Sequence, residues 1–224
     1  MINCFNDENP YKKHYNDYNL LGINTYSNTV ILDLFDTISY ICYTDFYTKR
    51  QEDLDNKEKV SEFISWADII YEGGGDTKIM LDLWKKTGFD KILYNAWNMG
   101  KVICGISAGA VCYFNSCNSD YYDKNNKMSF ENIKCLNWFN AYITPHYDES
   151  GRKLSSKKHL KENGLVGIML SNCSALVILD DKYKVICEDC NHRKIKKGFV
   201  YKCFYKDGKY YKIKIDNNDY HPLS

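Results

Sequence analysis

A serine between two glycines, Gly105-Ile106-Ser107-Ala108-Gly109, follows the apolar run Val102-Ile103-Cys104 and passes into Ala110-Val111-Cys112. Residues of these types in this order suit a nucleophile elbow, a sharp strand-to-helix turn that lifts a serine hydroxyl clear of a sheet toward a base. Glycines at 105 and 109 leave room for that turn and for the helix to pack closely behind it. The turn also aims backbone N–H groups, beginning with that of Ala108, at the point where an oxyanion develops during acyl transfer. Gly-x-Ser-x-Gly also arises by chance, so the reading depends on what else the chain supplies.

A serine at an elbow needs a general base, and a histidine titrates near neutrality. Of His14, His146, His159, His192 and His221, His146 stands out because Ile143-Thr144-Pro145-His146-Tyr147-Asp148 puts it just past a strand, as Ser107 is. His159 follows Lys157-Lys158, where a solvated helix face is the expectation, and the others fall in polar, charged or terminal segments. A carboxylate should orient the imidazole and stabilise its protonated form. Asp120, Asp123, Glu131 and Asp148 are all candidates, with Asp120 preferred because the loop leaving the elbow helix can return over the same crevice. The run Gly73-Gly74-Gly75-Asp76-Thr77 lacks the rest of a phosphate-binding motif. Its close-lying N–H groups would instead complete an oxyanion hole with Ala108, while Asp76 or Thr77 caps the helix that follows.

The elements that must position these groups alternate. Helical spacing runs from Tyr11 to Leu21, a strand over Thr29–Phe35, and a charged amphipathic helix from Glu52 to Ser65. Ala67–Tyr71 reads as a strand, Thr77–Thr87 and Lys91–Met99 as helices, and Val102–Cys104 as the strand entering the elbow. The elbow helix is read from Ala108 to Phe114, with Asn115–Asn132 polar and loop-like. Ala141–Thr144 and Leu176–Leu179 follow as strands, and Phe199–Tyr205 and Tyr210–Ile215 form a terminal β-hairpin around Asp207-Gly208. Alternation of this kind implies a mostly parallel sheet covered by helices on both faces, with the site at the carboxyl ends of the strands.

At 224 residues the chain suits one α/β domain, residues 1–224. Thirty Lys and Arg nearly balance 29 Asp and Glu, so no global field favours nucleic acid or an anionic membrane. No apolar run is long enough to span a bilayer, and the first residues lack the pattern of a signal peptide, which gives a cytoplasmic expectation. Ten cysteines scattered through the apparent elements are then expected to be reduced thiols. Cys187, Cys190 and His192, with Cys203 beyond, lack a fourth ligand at sensible spacing, so a charged turn is the expectation and no metal is assigned.

Taken in order, the segments from Ala67 to Val185 resemble the serine peptidase family of aspartyl dipeptidase (peptidase E) and cyanophycinase. The resemblance rests on Ala67-Asp68-Ile69-Ile70-Tyr71-Glu72-Gly73-Gly74-Gly75-Asp76-Thr77, on Gly105-Ile106-Ser107-Ala108-Gly109-Ala110, and on Asn118-Ser119-Asp120. Pro145-His146-Tyr147-Asp148 with Arg152, and Ala175-Leu176-Val177-Ile178, complete it. It implies a three-layer α/β/α sandwich of the class I glutamine amidotransferase-like, flavodoxin-related kind. It also implies a peptidase with no metal or organic cofactor. Ser107 would be the nucleophile, His146 the base and Asp120 the orienting acid, although members of the family differ in the position and type of that acid. Gly74, Gly75 and Ala108 would supply the oxyanion contacts. Short peptides, including those with an N-terminal Asp, are the implied substrates, and Arg152 is a candidate to grip a substrate carboxylate.

Two departures stand out. The chain opens almost directly at the family's first helix, so one or two strands of the sheet are expected to be missing, and an incomplete sheet exposes an edge or is covered by a second copy in a homodimer. Glu72 stands where relatives tend to carry an apolar residue. The competing readings are a catalytically inactive binding or regulatory module on the same fold, and an esterase of the α/β-hydrolase type.

Overall fold

The computed structural model describes residues 29–30, 57–122, 127–190, 195–216 and 219–223. Their contacts divide the chain into two compact units, one of residues 1–73 and 84–104 and the other of residues 74–83 and 105–224.

The first unit carries a three-stranded sheet in the order β1 (Thr29–Val30), β2 (Ile69–Glu72) and β3 (Val102–Gly105). β1 and β2 are parallel, with Thr29 opposite Ile69 and Val30 opposite Ile70. Helix α1 (Lys57–Trp66) precedes β2 and buries Val60 and Ile64, four residues apart on one face. Helix α2 (Thr77–Thr87) ends in this unit, and α3 (Phe89–Asn98) follows after Gly88, burying Phe89, Leu93 and Ala96. Trp84 and Phe89 meet edge to face across that junction, ring centres 5.3 Å apart. The Lys101 ammonium donates to the carbonyls of Ser65 and Ala67, at 2.7 and 2.5 Å, which ties the start of β3 to the loop before β2. Glu72 is fully buried at the end of β2.

The second unit is built on a six-stranded mixed sheet. The elbow helix α4 (Ala108–Val111) is followed by β4 (Phe114–Tyr122), β5 (Met128–Lys134) and β6 (Phe139–Thr144). After α5 (Arg152–Asn163) come β7 (Gly167–Leu170), β8 (Ser174–Leu179), β9 (Lys182–Cys187), β10 (Val200–Lys206), β11 (Lys209–Ile215) and β12 (His221–Pro222). The sheet order is β11-β10-β7-β6-β4-β5, and β12-β9-β8 form a separate three-stranded sheet. Only β4–β6 and β6–β7 are parallel in the larger sheet, whereas β4–β5, β7–β10 and β10–β11 are antiparallel. The expectation of a mostly parallel sheet therefore gives way to a mixed one. Tyr142, Tyr147, Leu160, Met169 and Cys203 make one buried cluster, and Ile168, Tyr183, Val185, Cys187, Val200, Ile215 and Leu223 make another.

Several sequence expectations change for physical reasons. The segment read as a loop from Asn115 is a strand pair, in which Asn118 faces Asn132 and Asp120 faces Phe130. Asn118 is fully buried in it because its amide is satisfied: it donates from Nδ2 to Ser155 Oγ at 2.8 Å and accepts from Arg152 at Oδ1. Helix α5 has an unusually polar buried face made of Arg152, Ser156, His159 and Leu160. His159 is accordingly not on a solvated face; its Nδ1 lies 3.0 Å from the Tyr142 hydroxyl, and burial followed by the Lys158 charge outweighs Glu162 to hold the ring below the usual histidine pKa. Cys173 and Cys190 form a disulfide where reduced thiols were expected, because the turn after β7 and the loop after β9 bring their Cα atoms to 5.8 Å. Cys187 and Cys203 lie in different buried clusters, so they do not share a ligand set. The helix read over Tyr11–Leu21, most of the strand over Thr29–Phe35, and His14, Asp123 and His192 lie outside the described residues.

Candidate active site

Ser107 sits between β3 and α4 with φ 52° and ψ −117°, a backbone conformation that non-glycine residues rarely adopt. Holding it there costs on the order of 1–3 kcal/mol, which the surrounding fold must offset. Opposite it, His146 follows the end of β6 and also has a positive φ, 50°. The two side chains meet, with Ser107 Oγ 3.1 Å from His146 Nε2. Both residues belong to the same compact unit, as does Gly74. A Cβ added to Gly74 would lie 3.3 Å from Ser107 Cβ and 3.9 Å from its Oγ, so the glycine backbone runs directly beside the hydroxyl. Gly75 has φ 150°. Ala108 is the first residue of α4, where a helix leaves its N–H without an intrahelical partner. Asp76 caps α2, accepting the Ile79 N–H at 2.9 Å.

The other imidazole nitrogen meets an amide. His146 Nδ1 lies 2.8 Å from Asn172 Oδ1, in the turn after β7. Asn172 in turn faces Asp148: its Nδ2 is 3.1 and 3.0 Å from the two carboxylate oxygens, and its backbone N–H donates to Oδ1 at 2.7 Å. Burial pushes the Asp148 carboxyl up, but the hydrogen bonds from the Asn172 side chain and backbone more than offset it and leave the carboxyl below its usual value. Strand pairing explains how the groups converge. β6 and β7 are parallel neighbours with Thr144 opposite Met169, so the residues just past both carboxyl ends project to one place. The Tyr147 N–H donates to the Leu170 carbonyl at 2.8 Å and joins the two turns.

Asp120 lies elsewhere in the network. Its carboxylate pairs with Arg152, which also donates from NH1 to the Asn118 carbonyl and Oδ1, both at 3.2 Å, and from Nε to Glu149 at 3.3 Å. The Arg152 guanidinium is only 2% exposed and stacks over the Phe130 ring at 5.0 Å. All three of its nitrogens already have acceptors, so it is a buried cross-link between α5 and β4 and not an open grip for a substrate carboxylate. Glu149 bridges the two clusters, one oxygen on Arg152 and the other 3.9 Å from His146 Nδ1, beyond hydrogen-bond reach. Glu131 lies on β5, and His221 packs its ring against Tyr183 at 5.6 Å. The structure thus brings together Ser107, His146 and Gly74 from the expected set, with the candidate acid Asp148 behind them, and adds Asn172 between Asp148 and His146. The sequence does carry a signal for Asn172: it stands two residues past the apolar run Ile168-Met169-Leu170, as His146 stands two past Thr144.

Cys104, three residues before the serine, donates weakly to the Ile70 carbonyl at 3.5 Å, and burial with the Glu72 charge pushes its thiol up to about 11. Among the described residues no group of His, Cys, Asp and Glu is placed to hold a metal ion, and no helix is long and apolar enough to cross a membrane.

An α/β fold with a serine hydroxyl facing an imidazole at strand ends is common to many hydrolases, and comparison with known proteins narrows the class. The chain belongs to peptidase family S51, which residues 49–186 match. An uncharacterized peptidase, YgaJ, of Bacillus subtilis (strain 168) is 34% identical over 122 residues, which cover 54% of this chain and 51% of that protein. The chain spans about half the length of the curated relatives it matches. Among solved structures, a peptidase from an acI-B1 Actinobacterium superposes with a TM-score of 0.56 at 19% identity, covering 77% of this chain and 66% of that one. A putative peptidase E protein from Listeria monocytogenes EGD-e superposes with a TM-score of 0.52 at 20% identity, covering 75% and 91%.

Proposed function

We propose that this protein is a serine peptidase that hydrolyses short peptides, dipeptides with an N-terminal Asp among them. The observation that carries this reading is the 3.1 Å approach of Ser107 Oγ to His146 Nε2 at a serine held with φ 52°. His146 Nε2 takes the hydroxyl proton as Ser107 Oγ attacks the peptide carbonyl, and it returns that proton to the leaving amine. Water, activated by the same nitrogen, then resolves the acyl-enzyme. The N–H groups of Ala108, Gly74 and Gly75 stabilise the developing oxyanion, and the bare Cα of Gly74 keeps that approach open. Membership of a peptidase family and the fold shared with peptidase E proteins support the same reaction class.

The test is hydrolysis of a panel of Asp-X dipeptides, other dipeptides and simple esters by the full chain, with Ser107→Ala and His146→Ala alongside. Cleavage of dipeptides that either substitution abolishes supports the reading. A folded protein inert on the whole panel supports a binding module, and a preference for esters supports an esterase.

A further inference from the structure

We propose that Asn172, backed by Asp148, is the positioning residue that sets the His146 tautomer, in the place where a carboxylate was expected. The proposal rests on the reading of Ser107 and His146 as nucleophile and base. A carboxylate only accepts, and Asp148 presents both oxygens to the Asn172 side chain, so the face of the amide turned to Asp148 must be its NH2. The amide oxygen then faces His146 Nδ1 at 2.8 Å. An amide oxygen cannot donate, so Nδ1 must carry the proton. Nε2 is left with its lone pair toward Ser107 Oγ, which is the arrangement a general base needs.

The turn holding Asn172 is fixed from several sides. Its N–H is on Asp148, its carbonyl accepts the Ser171 hydroxyl at 2.8 Å, and Ser171 Oγ accepts the Phe199 N–H at 2.7 Å. The charged groups around the ring are Asp148 and Glu149 of its own turn, with Arg152 of α5 and Asp120 of β4 behind Glu149. Arg152 engages both Glu149 and Asp120, which keeps their carboxylates off the imidazole hydrogen bond. Asp148 therefore acts on the ring through a neutral amide, and not by contact.

The test has a readout independent of turnover. Long-range 1H–15N spectra of the full chain, with His146 assigned by comparison with His146→Gln, report which ring nitrogen is protonated. In the wild-type protein Nδ1 carries the proton. In Asn172→Ala that preference is lost, and labelling of Ser107 by a fluorophosphonate slows about 5- to 150-fold, the range for leaving one donor without its partner. Glu149→Gln keeps the Nδ1–H tautomer. Asn172→Asp sets two carboxylates face to face and also slows labelling, whereas Asn172→Asp combined with Asp148→Asn restores it. An Nε2–H tautomer in the wild type, an Asn172→Ala protein labelled at the wild-type rate, or a tautomer lost in Glu149→Gln but kept in Asn172→Ala overturns the proposal. If Ser107 resists the reagent while the Nδ1–H tautomer is present and Asn172-dependent, the tautomer assignment stands and the peptidase reading falls.

Discussion

Gly198→Ala gives a sharp mechanical test of how tightly the Asn172 turn is set. A Cβ on Gly198 would lie 2.0 Å from the Cys173 carbonyl oxygen and 2.6 Å from its carbon, and ordinary contact begins at 3.4 Å, so the backbone must yield by about 1.4 Å. Neither side yields cheaply. Gly198 is anchored by its N–H to the Glu188 carbonyl at 2.8 Å, and Cys173 is bonded to Cys190 and accepts the Glu188 N–H at 3.0 Å. The displacement therefore passes to Asn172, whose amide must meet His146 Nδ1 and Asp148 together. Overpacking of this kind costs about 1–3 kcal/mol in stability. A misplacement of about 1 Å at a catalytic group costs on the order of 100-fold in rate. The variant should remain folded in a thermal melt while kcat on a cleaved dipeptide, and the rate of Ser107 labelling, fall by about that 100-fold factor. Gly208→Ala is the matched control: nothing lies within 4 Å of its added Cβ, and only its φ of 73° resists. It should lose about 1–2 kcal/mol in stability with turnover intact. Undiminished kcat in folded Gly198→Ala would refute the claim that the turn positions the base.

Other predictions follow from the same geometry. Arg152→Met removes the donor shared by Asn118, Asp120 and Glu149; the two carboxylates are 43% and 33% exposed and can rehydrate, so the urea unfolding free energy should fall by about 1–3 kcal/mol, mainly from the buried Asn118. Cys173→Ser, or reduction, opens a cross-link spanning 17 residues and should cost about 3 kcal/mol in the same assay. His159 is held neutral by burial, so its folded pKa lies below the 6.5 of an unfolded ring. As pH falls below 6.5 the unfolded chain takes up the proton first, stability declines until the folded ring also titrates, and His159→Gln should lack that slope in melts across pH 7 to 4. Cys104, with its thiol pushed up to about 11, should resist iodoacetamide at pH 8 in the folded protein and react on unfolding.

Much of the site was legible because its chemistry needs a local pattern. Ser107 is marked by its flanking glycines and by the apolar strand before them, and His146 by a strand that ends in Thr144-Pro145. Thr77–Thr87 is bounded as its helical spacing and Asp76 cap predict. What stayed hidden depends on partners distant in sequence. Asn115–Asn132 reads as a loop because its Asn and Ser side chains are polar, and Arg152 and Ser155, more than thirty residues on, supply the hydrogen bonds that let Asn118 be buried in a strand. Helix α5 hides in the same way, since its inward face is mostly Arg, Ser and His. Asp120 is a sound candidate acid by spacing alone, but a buried guanidinium competes for it more strongly than a histidine would. Asn172 is invisible to a search for carboxylates because the acid of this site works through an amide.

Whether Ser107 is an activated nucleophile is decided most directly by treating the full chain with a fluorophosphonate and locating the added mass by peptide mapping. A single adduct on Ser107 is expected, absent from Ser107→Ala and strongly slowed in His146→Ala. A folded protein that takes up no adduct, or takes it up on another residue, would contradict that role.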